Sequence, residues 1–165
     1  MAFFITDNEI DDICKSIIES IRVDFPYYYP HILFMYWYGC RIGELFDFRI
    51  RYDGFNSKVI IRPQKNNNDR ILDIVNFDVP GVIEQINISQ YNSYLNKRNL
   101  QRIIEKVHPY RELKCGNKKI GAHLFRHNFI KKSVASGSQI VNLDNEMGYT
   151  NQTVADTYLI SKIYF

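Results

Sequence analysis

Cysteine is scarce in this 165-residue chain, and what there is does not pair: Cys14, Cys40 and Cys115 are odd in number and far apart. No CxxC occurs and no Cys/His group has zinc-ligand spacing. A disulfide framework and a structural zinc are thereby excluded, and a reduced, intracellular compartment is expected. Long apolar runs are missing as well. The longest, HILFMYWY at 31–38, falls far short of the ~20 residues a membrane span needs. The N-terminus, MAFFITDNEIDD, turns acidic at once and has no basic segment ahead of an apolar one, so it is not a secretory signal. There is no Gly-rich phosphate loop and no GxSxG, no internal repeat, no low-complexity tract and no linker. The acids Asp7, Glu9, Asp11 and Asp12 crowd together, but a calcium-binding EF-hand loop needs glycine where Asp12 stands. No metal and no cofactor is expected.

What is present is enough for one domain spanning 1–165. Hydrophobic residues make up 45% and aromatics 15%, sufficient to bury a core. The net charge of +3 hides an uneven distribution. From Lys97 to Lys132 there are eleven Lys/Arg against two acids, Glu105 and Glu112, so this stretch carries +9 and the remainder −6. A basic region on a near-neutral domain suits a polyanion, most often nucleic acid. Lys118, Lys119, Lys131 and Lys132 are its candidate DNA contacts.

The pattern predicts an α+β fold, mostly helical. Isoleucines at 10, 13, 17, 18 and 21 mark a helix over 7–24, capped by Thr6 or Asp7. A second helix is expected over 28–38, ended by Gly39, and RIGELFDF as a short helical turn. Three β-like runs follow, at 48–52, 58–62 and 70–75. Their connections, DGFNS and KNNND, are turn formers, which predicts a small three-stranded antiparallel sheet. Pro80-Gly81 marks the return to helix. One helix is then expected across ISQYNSYLNKRNLQRIIEKVH, with Ser89 as cap and Tyr94, Leu95, Ile103 and Ile104 buried. Further helices are expected at 122–136, 138–147 and 151–160, punctuated by Gly137 and Gly148.

Candidate chemistry gathers in HLFRH, residues 123–127. His123 and Arg126 share a helix face, and His127, four residues from His123, reaches the same side. An arginine held on a packed helix clamps phosphate oxygens with two parallel N–H donors. Taken alone, a surface arginine between two packed histidines is the commoner arrangement. Upstream, WYGCRIGEL places Arg41 at the start of a helical turn, with Glu44 three residues on to buttress it.

WYGCRIGEL, HLFRH and MGYTNQTVADTY, in this order and with these internal spacings, resemble the three signature segments of the tyrosine recombinase (phage integrase) family. The likeness runs from Asp7 to Tyr158 and corresponds to the family's catalytic domain. It implies that Arg41 and Arg126 hold the nonbridging oxygens of the scissile phosphate. Tyr158 would attack phosphorus and form a 3′-phosphotyrosyl bond, and Lys65, near the tip of the β-hairpin, would protonate the leaving 5′-oxygen. His123 would assist proton transfer. His127 and Glu44 would support the site from behind. Lys58 competes with Lys65 but opens a strand, and Tyr164 is the fallback for Tyr158.

One position departs from the family pattern: Tyr149 stands where a histidine is usual. A phenol donates a hydrogen bond to phosphate but shuttles protons poorly near neutrality. The resemblance further implies duplex DNA as partner, monomers in isolation and a tetramer on DNA in the full-length protein. The family's N-terminal DNA-clamp domain has no counterpart in these residues. The closing LISKIYF, with Ile160, Ile163 and Phe165, is expected to dock on a neighbouring protomer. The expected function is integration, excision or resolution of a mobile or viral element. The alternatives are a DNA-binding module without catalysis and a topoisomerase-like nicking and rejoining enzyme.

Overall fold

The computed structural model describes residues 4–63, 68–110, 112–116, 118–137 and 162–164. Helix α1, Asp7–Asp24, begins at a capping box: Thr6 Oγ1 accepts the Glu9 amide at 3.2 Å, and the Glu9 carboxylate turns back to the Thr6 amide at 3.4 Å. Two otherwise unsatisfied amides at the helix start are satisfied in this way. Its buried stripe is Ile10, Ile13, Cys14, Ile17 and Ile21. After a 3-10 turn at Pro26–Tyr28, α2, Tyr29–Tyr38, runs through the centre of the domain against α1, α3 (Val79–Ser89) and α5 (Leu124–Ala135). It is apolar on nearly every side, as a helix packed on several faces must be.

The three strands are β1, Ile50–Asp53, β2, Lys58–Ile61, and β3, Arg70–Asp73. They form an antiparallel sheet in sequence order, with Ile50 opposite Ile61 and Val59 opposite Leu72. Tyr38 ties α2 to this sheet: its hydroxyl donates to the Asp73 carbonyl at 2.9 Å and accepts from the Val75 amide at 3.3 Å. Asn87, on α3, donates to the Ile50 carbonyl at 3.0 Å.

The expected helix from Ser89 to His108 is corrected by the structure. Helix α3, Val79–Ser89, ends at the residue expected to cap the next one, and α4, Lys97–Val107, starts eight residues later. The break is made by amide side chains. Asn92 Oδ1 accepts the Tyr94 amide at 3.0 Å, and Asn96 Oδ1 caps α4 by accepting the Asn99 amide at 2.9 Å. Short side chains of this kind compete with helical hydrogen bonds. Tyr94, expected in the core, is 80% exposed.

A second small sheet was not expected. Strands β4, Lys114–Cys115, and β5, Lys118–Lys119, form a hairpin, and β6, Ile163–Tyr164, pairs with the free side of β4. The Ile163 carbonyl also accepts the Ile5 amide at 2.9 Å, and its side chain is buried. The expectation that Ile163 docks on another protomer is thus corrected: in this chain it closes the domain's own core. Ile160 and Phe165 lie outside the described residues. So do the helices expected at 138–147 and 151–160.

Helix α5, Leu124–Ala135, packs on α1 and α2. Asp11 is the polar centre of that contact. Its Oδ1 accepts from the Tyr36 hydroxyl at 2.7 Å, Asn128 Nδ2 at 3.0 Å and Lys132 Nζ at 3.1 Å. Burial alone would raise this carboxyl, but these donors and Lys15 outweigh it and hold it well below the usual carboxylate range.

Three buried histidines make the domain acid-sensitive. Burial pushes His31 down to about 4 and His127 to about 3, and lowers His108 as well. The unfolded chain binds these protons near the ordinary histidine value of ~6.5, and the folded chain does not. Stability therefore falls as pH drops from about 6.5 towards 4. A melting temperature that is flat over this window would contradict it; His31→Gln should make the slope shallower.

Candidate active site

The site is built from the C-terminal end of α2, the turn after it and the start of α5. Gly39 ends α2 in the left-handed region, φ 61°. Cys40 follows, buried, and then Arg41 in extended conformation at the start of a 3-10 turn, Ile42–Leu45. Within that turn Glu44, 2% exposed, folds back and accepts the Arg41 backbone amide at 2.7 Å. Arg126 approaches from α5, 1% exposed. Its Nη1 donates to the Gly39 carbonyl at 2.9 Å and lies 3.9 Å from Glu44 Oε1. Arg41 and Arg126, eighty-five residues apart in sequence, are thus referenced to one carboxylate. Glu44 was expected to buttress Arg41, and it also neutralises Arg126.

Arg70, on β3, extends this buried polar layer. It is 1% exposed, donates to the Tyr38 carbonyl and lies over the Phe129 ring at 5.8 Å. Sequence reading missed it, because an arginine in a short strand looks like a solvated edge residue.

His123 precedes the first turn of α5 and is exposed. The packing around its ring, followed by the charges of Arg126 and Arg41, pushes it down to about 4. It is therefore neutral at physiological pH. His127 packs edge-on against it at 5.6 Å and is buried. Arg41 and His123 line one cleft of about 400 Å³, together with Lys97, Gln101 and Glu105 of α4. The three α4 residues were not singled out by the sequence, whose only signal was that the basic stretch begins at Lys97. Burial, then the neighbouring Glu44, pushes the Cys40 thiol up to about 12, so it is no nucleophile.

The candidate DNA lysines divide. Lys131 lies 3.6 Å from Asp7, and Lys132 is bonded to Asp11 and the Tyr36 hydroxyl. Both lysines brace α5 on α1. Lys118 and Lys119 are exposed on β5, with Lys119 Nζ 3.5 Å from Glu112. Lys65, Tyr149 and Tyr158 lie outside the described residues.

No protein-family model matches the sequence, and no curated protein is similar to it in sequence. Solved structures do match in fold. XerA recombinase superimposes with a TM-score of 0.63 at 18% identity, over 96% of this chain and 60% of its own. The fold is that of tyrosine recombinase catalytic domains. The Tn1549 transposon integrase in complex with transposon right end DNA gives a TM-score of 0.61 at 19% identity, over 87% of this chain and 58% of its own. The same integrase in complex with a circular intermediate DNA gives 0.60 at 16%, over 96% and 61%. The chain therefore spans about three fifths of the length of the tyrosine recombinase structures it resembles.

Proposed function

We propose that this chain carries the catalytic domain of a DNA strand transferase of the tyrosine recombinase type, acting in integration or excision of a mobile or viral element. The observation that supports it most is that Glu44 ties the Arg41 backbone to the Arg126 guanidinium from a separate motif, while Arg41 and His123 line one polar cleft. Two fixed guanidiniums supply the charge that phosphoryl transfer builds on the nonbridging oxygens, without a metal. Tyr158 attacks phosphorus, forms the 3′-phosphotyrosyl bond and releases the 5′-oxygen, which takes its proton from Lys65. A phenol titrates near ~10 and needs a base or a positive field. The arginines supply the positive field, and His123 assists proton transfer and orients the phosphate. Tyr149 donates a hydrogen bond to the phosphate. Duplex DNA is the substrate. Monomers assemble on it, as a tetramer in the full-length protein.

A second reading, a DNA-binding module without catalysis, is favoured by one observation. Arg126 is 1% exposed and already bonded to the Gly39 carbonyl, so its guanidinium is not presented in the DNA-free chain. A nicked suicide duplex separates the two. Strand transfer predicts a covalent adduct that survives detergent and is lost in Tyr158→Phe, with binding retained. Salt-sensitive binding with no adduct from the unaltered chain selects the binding module. An adduct formed by Tyr158→Phe would remove Tyr158 as nucleophile.

A further inference from the structure

Two cavities have complementary chemistry and share one residue, and the second of them adjoins the candidate cleft. The first, about 570 Å³, is aromatic and amide-lined, with Tyr27, Tyr94, Asn92 and Asn99 in its walls. Tyr27 is 50% and Tyr94 80% exposed, so two phenol rings stand open to solvent at a concave site. Tyr27 is held by ring contacts with Phe25 at 6.3 Å and Tyr28 at 5.2 Å. The Tyr94 backbone is held at both ends, its amide by Asn92 Oδ1 and its carbonyl by Asn99 Nδ2 at 2.8 Å.

The second cavity, about 520 Å³, is cationic, lined by Lys106, His108 and Lys119, with Glu105 the one acid. Lys119 leans towards Glu112 and Lys106 lies 5.6 Å over the Phe25 ring. Arg102 lines both cavities and makes no ion pair among the described residues. His108 adds a second observation. Its Nδ1 accepts the Tyr110 amide at 3.0 Å, which places the ring proton on Nε2. That Nε2–H is buried, in a side chain that is 5% exposed, and has no hydrogen-bond partner among the described residues. A buried donor without an acceptor is costly, and it stands in the wall of a cationic cavity. This cavity meets the catalytic cleft through Glu105 and Gly121.

We propose that these joined cavities bind a nucleotide whose base is unpaired, the base against Tyr27 and Tyr94 and the phosphate beside Arg102, Lys106 and Lys119. Open aromatic rings beside a cation are the arrangement that holds bases without reading their sequence. A paired duplex cannot use it, because its bases stack on each other. The ligand is an unpaired segment of bound DNA or a free nucleotide. The proposal rests on DNA binding in the function above and not on strand transfer.

Anisotropy titrations of the intact chain test it, with a labelled duplex carrying a three-nucleotide single-stranded gap against the same duplex fully paired. The gapped duplex should bind about tenfold tighter. Tyr94→Ala should remove the difference and Tyr94→Phe keep it, since the ring remains. Arg102→Ala should weaken the gapped duplex more than the paired one. Displacement of the gap preference by thymidine monophosphate assigns the site to free nucleotides, and preference without displacement assigns it to DNA. Tyr158→Phe, which blocks adduct formation, should leave the preference intact. Equal binding of gapped and paired duplex, or a preference untouched by Tyr94→Ala, overturns the proposal. Failure to bind either duplex overturns the proposed function instead.

Discussion

Glu44→Ala should lower the stability of the domain by roughly 3–5 kcal/mol, the usual cost of leaving one partner of a buried ion pair behind. Arg126 is 1% exposed and the Glu44 carboxylate lies 3.9 Å from it. Without Glu44 the Arg41 amide also loses its 2.7 Å acceptor. The turn that presents Arg41 then loses this lock, and Arg126 loses the Glu44 counter-charge. For a domain of this length the melting temperature should fall on the order of 10 °C. Glu44→Gln separates the two roles. Its amide oxygen still accepts from the Arg41 backbone and only the charge is lost, so it should destabilise less than Glu44→Ala. The proposed function adds a kinetic expectation: adduct formation should fall in both variants, measured below the melting point of each. Thermal denaturation of the two variants checks the stability argument. Equal and small shifts in both would show that Glu44 carries neither role.

The second large effect is expected at Gly39. A Cβ there would come within 2.5 Å of Phe129 Cβ, and the backbone sits at φ +61°, where an L side chain is strained. Overpacking of this kind costs typically ~1–3 kcal/mol and the left-handed backbone about one more. Gly39→Ala should therefore destabilise by roughly 2–4 kcal/mol. The site suffers with it, because the displaced Gly39 carbonyl is the one that Arg126 Nη1 holds at 2.9 Å. The cause is testable by a double-mutant cycle with Phe129→Gly, which removes the Phe129 Cβ as well as the ring. If contact with Phe129 produces the loss, the second substitution should recover most of it and the two effects should be far from additive. Additive losses would locate the cost in the backbone conformation alone.

Both predictions concern residues whose importance was only half visible in the sequence. Gly39 reads as a helix stop, which it is. That it must also admit Phe129 depends on α5 crossing the end of α2, a contact between residues ninety positions apart. Glu44 reads as support for Arg41 by its spacing. Its service to Arg126 depends on the same crossing. The expected helix over Ser89–His108 failed for a local reason. Asn92 and Asn96 accept backbone amides and interrupt the helix without any glycine or proline to announce it. The second sheet was missed because its strands are two residues long, too short to show a period.

The sequence by itself determined the bounds of α1, through a cap at Thr6 or Asp7 and the isoleucine stripe, and the three antiparallel strands, through the turn formers between them. It also supplied the candidates for phosphoryl chemistry, because the segments that resemble the signature spacings are local. Only the tertiary structure decided how the cations are used. Lys131 and Lys132 look equal to Lys118 and Lys119 in the basic stretch, yet the first pair is drawn to Asp7 and Asp11 of α1 while the second stays on an exposed hairpin. Arg126 and Arg70 are buried, and His123 is kept neutral by packing and by Arg126 and Arg41. The physical reason is that charge and burial depend on what packs alongside a residue, which spacing along the chain does not encode.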